Sequence, residues 1–250
     1  MPLPKIATPT YELELPSTGK TIQYRPFLVK EEKLLVLALE SEDIKEITTA
    51  IKNVIKSCIK TRGIKVENLP TFDIEYLFLN IRGKSVGEDL EVNLICPDDQ
   101  KTQVPVKVNI DDIKISRVEG HTNKIKLDDS LMMEMKYPSL SEFIKTNFDV
   151  NDKNVMDQSF VMIASCIDKI YSEEEVWAAG DCTKKEIDTF LEQMNSAQFK
   201  EIEKFFETMP KLSHTVKLKI PTQEWKVMYY WRVCQVFSLS SSPYGSRELL

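Results

Sequence analysis

Residues 70–96 read PTFDIEYLFLNIRGKSVGEDLEVNLIC, and the spacing of apolar residues changes within them. Ile74, Leu77, Phe78 and Ile81 fall three and four apart, the period of one face of an α-helix starting at Pro70-Thr71. Leu90, Val92 and Leu94 fall two apart, the period of one face of a strand. Helix and strand therefore meet near Gly87, and the expected fold class is α+β.

Upstream, the helical period continues. SEDIKEITTAIKNVIKSCIK (41–60) puts Ile44, Ile47, Ile51, Val54, Ile55 and Cys58 on one face, with Ser41 as the expected N-cap. VKEEKLLVLALES (29–41) precedes it as another helix, and Gly63 closes the region. Before that, YELELPSTGKTIQYRPF (11–27) alternates Tyr11, Leu13 and Leu15, then Ile22 and Tyr24, around a Pro-Ser-Thr-Gly break: a hairpin. Five of the twelve prolines lie in the first 26 residues, so residues 1–9 read as an extended arm.

Downstream, TQVPVKVNI alternates Val104, Val106 and Val108, with PDDQK (97–101) as the preceding turn. IKISRV, NKIKL and LMMEMKY follow as short strands, giving an antiparallel β-rich middle. After Pro138 helices are expected again. They are a short one in SLSEFIKTNF, a long one in NVMDQSFVMIASCIDKIYS, one after the Thr183-x-x-Glu186 capping box, and one capped by Ser196 and followed by Pro210. LSHTVKLKI is a candidate strand. The expected organisation is one body over 1–218 with lobes at 1–29 (arm and hairpin), 30–86 (helical), 87–137 (β-rich) and 138–218 (mostly helical). An anomalous tail follows at 219–250.

Composition restricts the function classes. The chain of 250 residues is 42% hydrophobic, enough for a substantial core. Its 39 acids against 33 bases give a net charge of −6, which opposes a general nucleic-acid coat. Five scattered cysteines without a CxxC pair point to reduced thiols in a cytosol. The start MPLPKIATPTYELELP lacks the apolar core of a signal peptide, and no apolar run reaches the ~18 residues of a spanning helix.

Each reactive-looking motif has an ordinary explanation. STGKT (17–21) resembles the end of a phosphate loop, but the position that needs an earlier glycine holds Glu14, so it reads as the hairpin turn. Cys96-Pro97 resembles a zinc knuckle, yet Asp98 and Asp99 follow, leaving a strand cysteine. Cys166 lies on an apolar helix face, where a thiol is inert; His121 and His214 sit in polar connections or strand edges. PDDQK, NIDDIK and SEEEV (172–176) lack the glycine and ligand order of a calcium loop and read as turns and caps. Lys145, Lys153, Lys184, Lys185, Lys200 and Lys204 alternate with Glu186, Glu192, Glu201 and Glu203, as on exposed helix faces. No catalytic, cofactor-binding or metal-ligating residue is assigned.

Whole segments carry a resemblance. FDIEYLFLNIRGKSVGE (72–88) is the strongest. LEVNLICPDD, VPVKVNIDDI, LMMEMKYPSLSEF, CIDKIYSEEEVW and FLEQMNSAQFKEIEKFFETMPKLSHTV follow in order. Over residues 1–218 the chain resembles the T-even-type phage baseplate hub assembly proteins. The resemblance implies a non-enzymatic role in building the central hub of the tail baseplate. It implies other hub and tail proteins as partners and a place in the host cytoplasm during assembly or in the virion tail. Charge, hydropathy and motifs lead to the expectation of no nucleic acid, no membrane and no cofactor. A soluble enzyme with a dispersed site and a nucleic-acid-binding module using a local lysine face are the alternative readings.

The tail departs from that resemblance. The last 32 residues, KIPTQEWKVMYYWRVCQVFSLSSSPYGSRELL, hold two of the three tryptophans. The resemblance implies a continuation past LSHTVKL with a stretch like NPKTGVESNVLLEGLSSFF. Read two bases forward, the codons for Trp225-Lys226, Met228-Tyr229, Tyr229-Tyr230 and Tyr230-Trp231 force Glu, Val, Leu and Leu at the matching places. Pro221-Thr222 is the one miss, allowing Asn but not Lys. The tail from about residue 220 is therefore expected to be a displaced reading frame, natural or from sequencing, with a divergent family tail as the alternative.

Overall fold

The structure is a computed structural model that describes residues 6–95, 103–142, 155–220 and 223–230. The described residues group into two compact units. The first takes those up to Val66, those of Phe72–Ile115 and those from Lys211 on; the second takes Glu67–Thr71 and Ser116–Pro210. The architecture is α+β, with an N-terminal hairpin, helices, antiparallel sheets through the middle and helices towards the C-terminus.

The first unit begins with β1 (Tyr11–Glu14) and β2 (Thr21–Tyr24), antiparallel with Tyr11 opposite Tyr24 and Leu13 opposite Ile22. The alternation read from sequence holds: Ile22 and Tyr24 are buried, whereas Glu12, Glu14, Thr21 and Gln23 are exposed. Gly19 takes φ +69 to close the turn, and its N–H donates to Leu15 O at 2.8 Å. α1 (Val29–Glu40) and α2 (Ile44–Cys58) follow and pack together. Ile47, Ile51, Val54, Ile55 and Cys58 form the buried face of α2, as their spacing predicts.

The cap of α2 is Asp43, not the expected Ser41. The Asp43 carboxylate accepts from the N–H groups of Lys45 and Glu46. The Ser41 hydroxyl instead donates back to Ala38 O at 2.8 Å and finishes α1. Ser41 and Asp43 stand two positions apart; the Ser41 oxygen accepts from Asp43 N–H at 3.3 Å, ahead of the helix, and leaves the first-turn N–H groups to Asp43.

α3 (Thr71–Val86) buries Phe72, Ile74, Leu77, Phe78, Leu79 and Ile81, more than the single face expected. Gly83 lies where the helix touches its neighbour, since a Cβ there would come 2.9 Å from Ile110 Cδ1. β3 (Asp89–Ile95) and β4 (Gln103–Asn109) pair antiparallel with Leu90 opposite Val108, both buried. The PDDQK turn between them lies outside the described residues. A 3-10 turn (Ile110–Asp112) leads to β5 (Lys114–Ser116). The strand β5 joins β10 (Lys211–Ile220) and β11 (Gln223–Tyr230) in the order β11-β10-β5. The β-rich middle is therefore shared among several sheets, because its strands find partners far along the chain.

The second unit is built on a sheet of β6 (Lys124–Lys126), β7 (Leu131–Met135), β8 (Ile167–Ser172) and β9 (Val176–Ala178), all antiparallel in that order. α4 (Val155–Cys166), α5 (Lys184–Glu192) and α6 (Ser196–Thr208) complete it. Ile125, Met133, Met135, Ile163, Cys166, Leu191, Ile202 and Phe205 are buried together in its core.

Two expectations are corrected here. The long helix drawn through NVMDQSFVMIASCIDKIYS ends at Cys166, and IDKIYS is β8. Its β-branched and aromatic residues find a strand partner in β7, with Ile167 opposite Met135 and Ile170 opposite Met133. The helical spacing of Ile163, Cys166, Ile167 and Ile170 also suits a strand in its last part, so periodicity alone misplaced the boundary. The cap of α6 is Asn195 rather than Ser196: its amide oxygen accepts from Ala197 and Gln198 N–H groups. The capping box before α5 forms as read, Thr183 Oγ1 accepting from Glu186 N–H. Of the helix expected at SLSEFIKTNF, residues from 143 on lie outside the described residues.

Candidate functional site

The STGKT motif is a structural turn. Ser17 N–H donates to Asp73 Oδ1 at 3.0 Å, and the Ser17 hydroxyl donates to Asp73 Oδ2. Asp73 is buried in the first turn of α3, so this contact clips the hairpin to the helix start. Burial pushes the Asp73 pKa up, and the two Ser17 hydrogen bonds only partly offset it. A carboxylate in this place repels phosphate rather than cradling it.

A second polar node joins β2 to α1. Glu31 is buried, accepts from Leu28 N–H at 2.8 Å and pairs with Arg25 Nη2 at 3.0 Å. Burial alone would raise its pKa, but the hydrogen bonds from Arg25 and Leu28 and the charges of Arg25 and Lys30 outweigh it and leave it lowered. Arg25 N–H also donates to Cys58 O at the end of α2. This node is a joint between elements.

His121 lies in a stack of rings. Its ring sits 5.3 Å from Phe205 and 5.8 Å from Tyr137, centroid to centroid. Nδ1 is 2.9 Å from Thr208 Oγ1, and Nε2 is 3.0 Å from the Tyr137 hydroxyl. The Thr208 hydroxyl donates to Lys204 O, so it accepts from Nδ1–H, and the Tyr137 phenol donates to Nε2. Burial lowers the pKa of this imidazole. Both nitrogens are thus engaged by hydroxyls in a neutral ring.

Cys58 and Cys166 are buried thiols. Burial pushes the Cys166 thiol up to about 12 and the Cys58 thiol up to about 11, far from a nucleophilic thiolate. Cys96 lies outside the described residues, as do Lys145 and Lys153. His214 Nδ1 lies 3.2 Å from Asp112 O. Lys184, Lys185, Lys200 and Lys204 are exposed, and Lys204 pairs with Glu201 at 3.4 Å. Among the described residues no three His, Cys, Asp or Glu side chains gather as a metal site, and no helix is long and apolar enough to cross a membrane.

What the structure leaves open is apolar surface. On α1, Leu35 and Ala38 turn inward while Val29, Leu34 and Leu37 are exposed. On β9 all three residues are exposed, with Val176 at 67% and Trp177 at 41%. Sequence reasoning missed β9: it stopped SEEEV at Val176 as an acidic turn. The signal was the β-branched and aromatic pair Val176-Trp177 directly after that turn. Ser172 Oγ accepts from the N–H groups of Glu174 and Glu175, so the acids do form the turn, between β8 and β9.

Comparison with curated proteins and with solved structures finds no match. A family model described as "T4 bacteriophage base plate protein" matches residues 8–230, nearly the whole chain and both compact units. The chain belongs to the T4 bacteriophage base plate protein family.

Proposed function

We propose that this base plate protein acts in building the central hub of the tail baseplate, through protein–protein contacts and without catalysis. The observation that carries the reading is the family match over residues 8–230. The order of quoted segments from FDIEYLFLNIRGKSVGE to LSHTV points to the hub branch. Exposed apolar groups on α1 and β9 are the kind of surface a binding protein presents. Its partners are other hub and tail proteins, met in the host cytoplasm during assembly. Tagged protein recovered from infected cells should bring hub proteins with it. Normal baseplates from a phage lacking the gene would overturn the role. Presence in finished virions would mark a structural subunit, and absence a transient assembly factor.

We also propose that residues from about 220 onward derive from a displaced reading frame. The forced codons at Trp225-Lys226 and through Tyr229-Trp231 support it, while the family match that runs on to residue 230 weighs against it up to that residue. β10 and β11 pair across this point, with Ile220 opposite Gln223 and Leu218 opposite Trp225. Resequencing independent clones is the test; an intact frame with the same tail removes the sequencing-error version.

A further inference from the structure

The edge of the second unit's sheet has a defined hydrogen-bonding phase. Ala179 N–H donates to Asp168 O at 2.9 Å, and Ser172 N–H donates to Glu175 O at 2.8 Å. These bonds bracket the β8–β9 ladder, in which Lys169 faces Ala178, Ile170 faces Trp177 and Tyr171 faces Val176. Hydrogen-bonded pairs alternate along an antiparallel ladder, so Trp177 directs its N–H and C=O at β8. Val176 and Ala178 direct theirs the other way. Ala178 O is occupied by Asp181 N–H at 3.0 Å. Val176 N–H, Val176 C=O and Ala178 N–H remain turned to the open side, since β9 ends the sheet among the described residues.

The side chains point to the same vacancy. Cross-strand partners share a face, so Ile125, Met133, Ile170 and Trp177 form one apolar row across all four strands. Ile125 and Met133 are buried, Ile170 is half-buried, and Trp177 is 41% exposed. The row runs out of cover where the sheet runs out of strands. β9 carries neither proline nor lysine, two devices that commonly blunt an exposed edge. The turn leading into it carries Glu173, Glu174 and Glu175, all exposed.

We infer that β9 is extended by a strand from another baseplate protein. The incoming segment places an apolar residue opposite Trp177 and Lys or Arg beside Glu173–Glu175. The inference rests on the reading of the chain as a protein-binding component and names the kind of partner. Main-chain bonds to Val176 and Ala178 supply the hold. The residue opposite Trp177 falls in the closely spaced type of pair, where side chains touch best. The three carboxylates select a basic flank. A second copy of this chain is disfavoured, because it brings a net charge of −6 and the same acidic turn.

The test uses the full chain and the peptide TTVTKK, which in antiparallel register sets Val opposite Trp177 and Lys opposite Glu175 and Glu174. At saturating peptide, amide exchange should slow at Val176 and Ala178 and stay unchanged at Trp177, whose N–H already faces β8. Val176→Pro removes an outward N–H without touching the β8 ladder and should weaken binding about tenfold. Reversal of all three acids to Lys should weaken it at least as much, which keeps the test valid if the proline variant misfolds. Equal binding of TTVTEE, no protection at either amide, or protection that grows with protein concentration in the absence of peptide would each overturn the inference. Hub proteins that still co-purify with the acid-reversed chain would also remove the edge and leave the hub role standing. Failure of the unaltered chain to co-purify with them would remove the hub role itself.

Discussion

In the first unit, the charged side chains Glu31, Asp73 and Arg82 are buried. In the second, the core cluster consists of Ile, Leu, Met, Cys and Phe, with the His121 and Tyr137 rings stacked on Phe205. The difference follows from how each unit is connected. The first must join a hairpin to helices that are distant in sequence: Ser17 reaches Asp73, and Arg25 reaches Glu31 and the end of α2. Directional charged contacts fix such joints, at a desolvation cost that partners offset. The second closes helices over a sheet with neutral hydrogen bonds across the sequence, His121 to Thr208 and Gln198 to Leu127 O, and no buried charge among its described residues.

The largest expected effect tests the second unit. Phe205→Ala removes a buried ring from the His121–Tyr137 stack and should cost about 4 kcal/mol in urea unfolding. The chain passes between the two units four times, near residues 66, 71, 115 and 210, so we propose that they unfold together as one body. Two separated transitions in that experiment would break this and make the units independent.

Arg25→Ala tests the first unit. It leaves Glu31 buried without its guanidinium and should cost about 3 kcal/mol. Arg25→Ala with Glu31→Leu should recover much of the loss; failure to recover would show that the joint depends on the ion pair itself. A smaller effect is expected at the start of α5. Thr183→Ala removes the oxygen that accepts Glu186 N–H and should cost about 1 kcal/mol, read from the same unfolding curves.

The pH dependence sharpens the comparison further. His121 has a folded pKa below its unfolded value, so its contribution is present above about pH 6.5 and lost as pH falls from there. His121→Gln should flatten stability between about pH 7 and pH 5. Glu31, lowered, likewise contributes above its unfolded pKa and loses that contribution as pH falls. Asp73 is raised, so its sign is opposite: its contribution is greatest below the unfolded pKa and is lost as pH rises through the folded one. Asp73→Asn keeps an acceptor for Ser17 N–H and should raise the unfolding midpoint slightly at pH 7. A lower midpoint there would show that the carboxylate charge favours the start of α3 more than burial penalises it.

Most elements were legible because their signals are local. The turn at Gly19, the buried face of α2, the inward residues of α3 and the Thr183 capping box each depend on residues within a few positions of one another. The boundary at Cys166 was not legible, because a short apolar run fits a helix face and a strand until a neighbour chooses. The caps at Asp43 and Asn195 were off by one or two residues for a similar reason: several polar side chains were available and geometry selected among them. Trp177 was visible as a residue but not as a surface. Its exposure depends on which strand lies at the end of the sheet.

The sequence by itself determined the fold class, the helical and strand periods and the family membership. Those properties reside in composition and in contacts between near neighbours. Tertiary structure alone decided that β5 pairs with β10, that Asp73 closes on Ser17, and that Val176 and Ala178 turn their main chain towards an open edge. Each depends on residues brought together from separate parts of the chain, and strand partnership and burial are properties of that meeting.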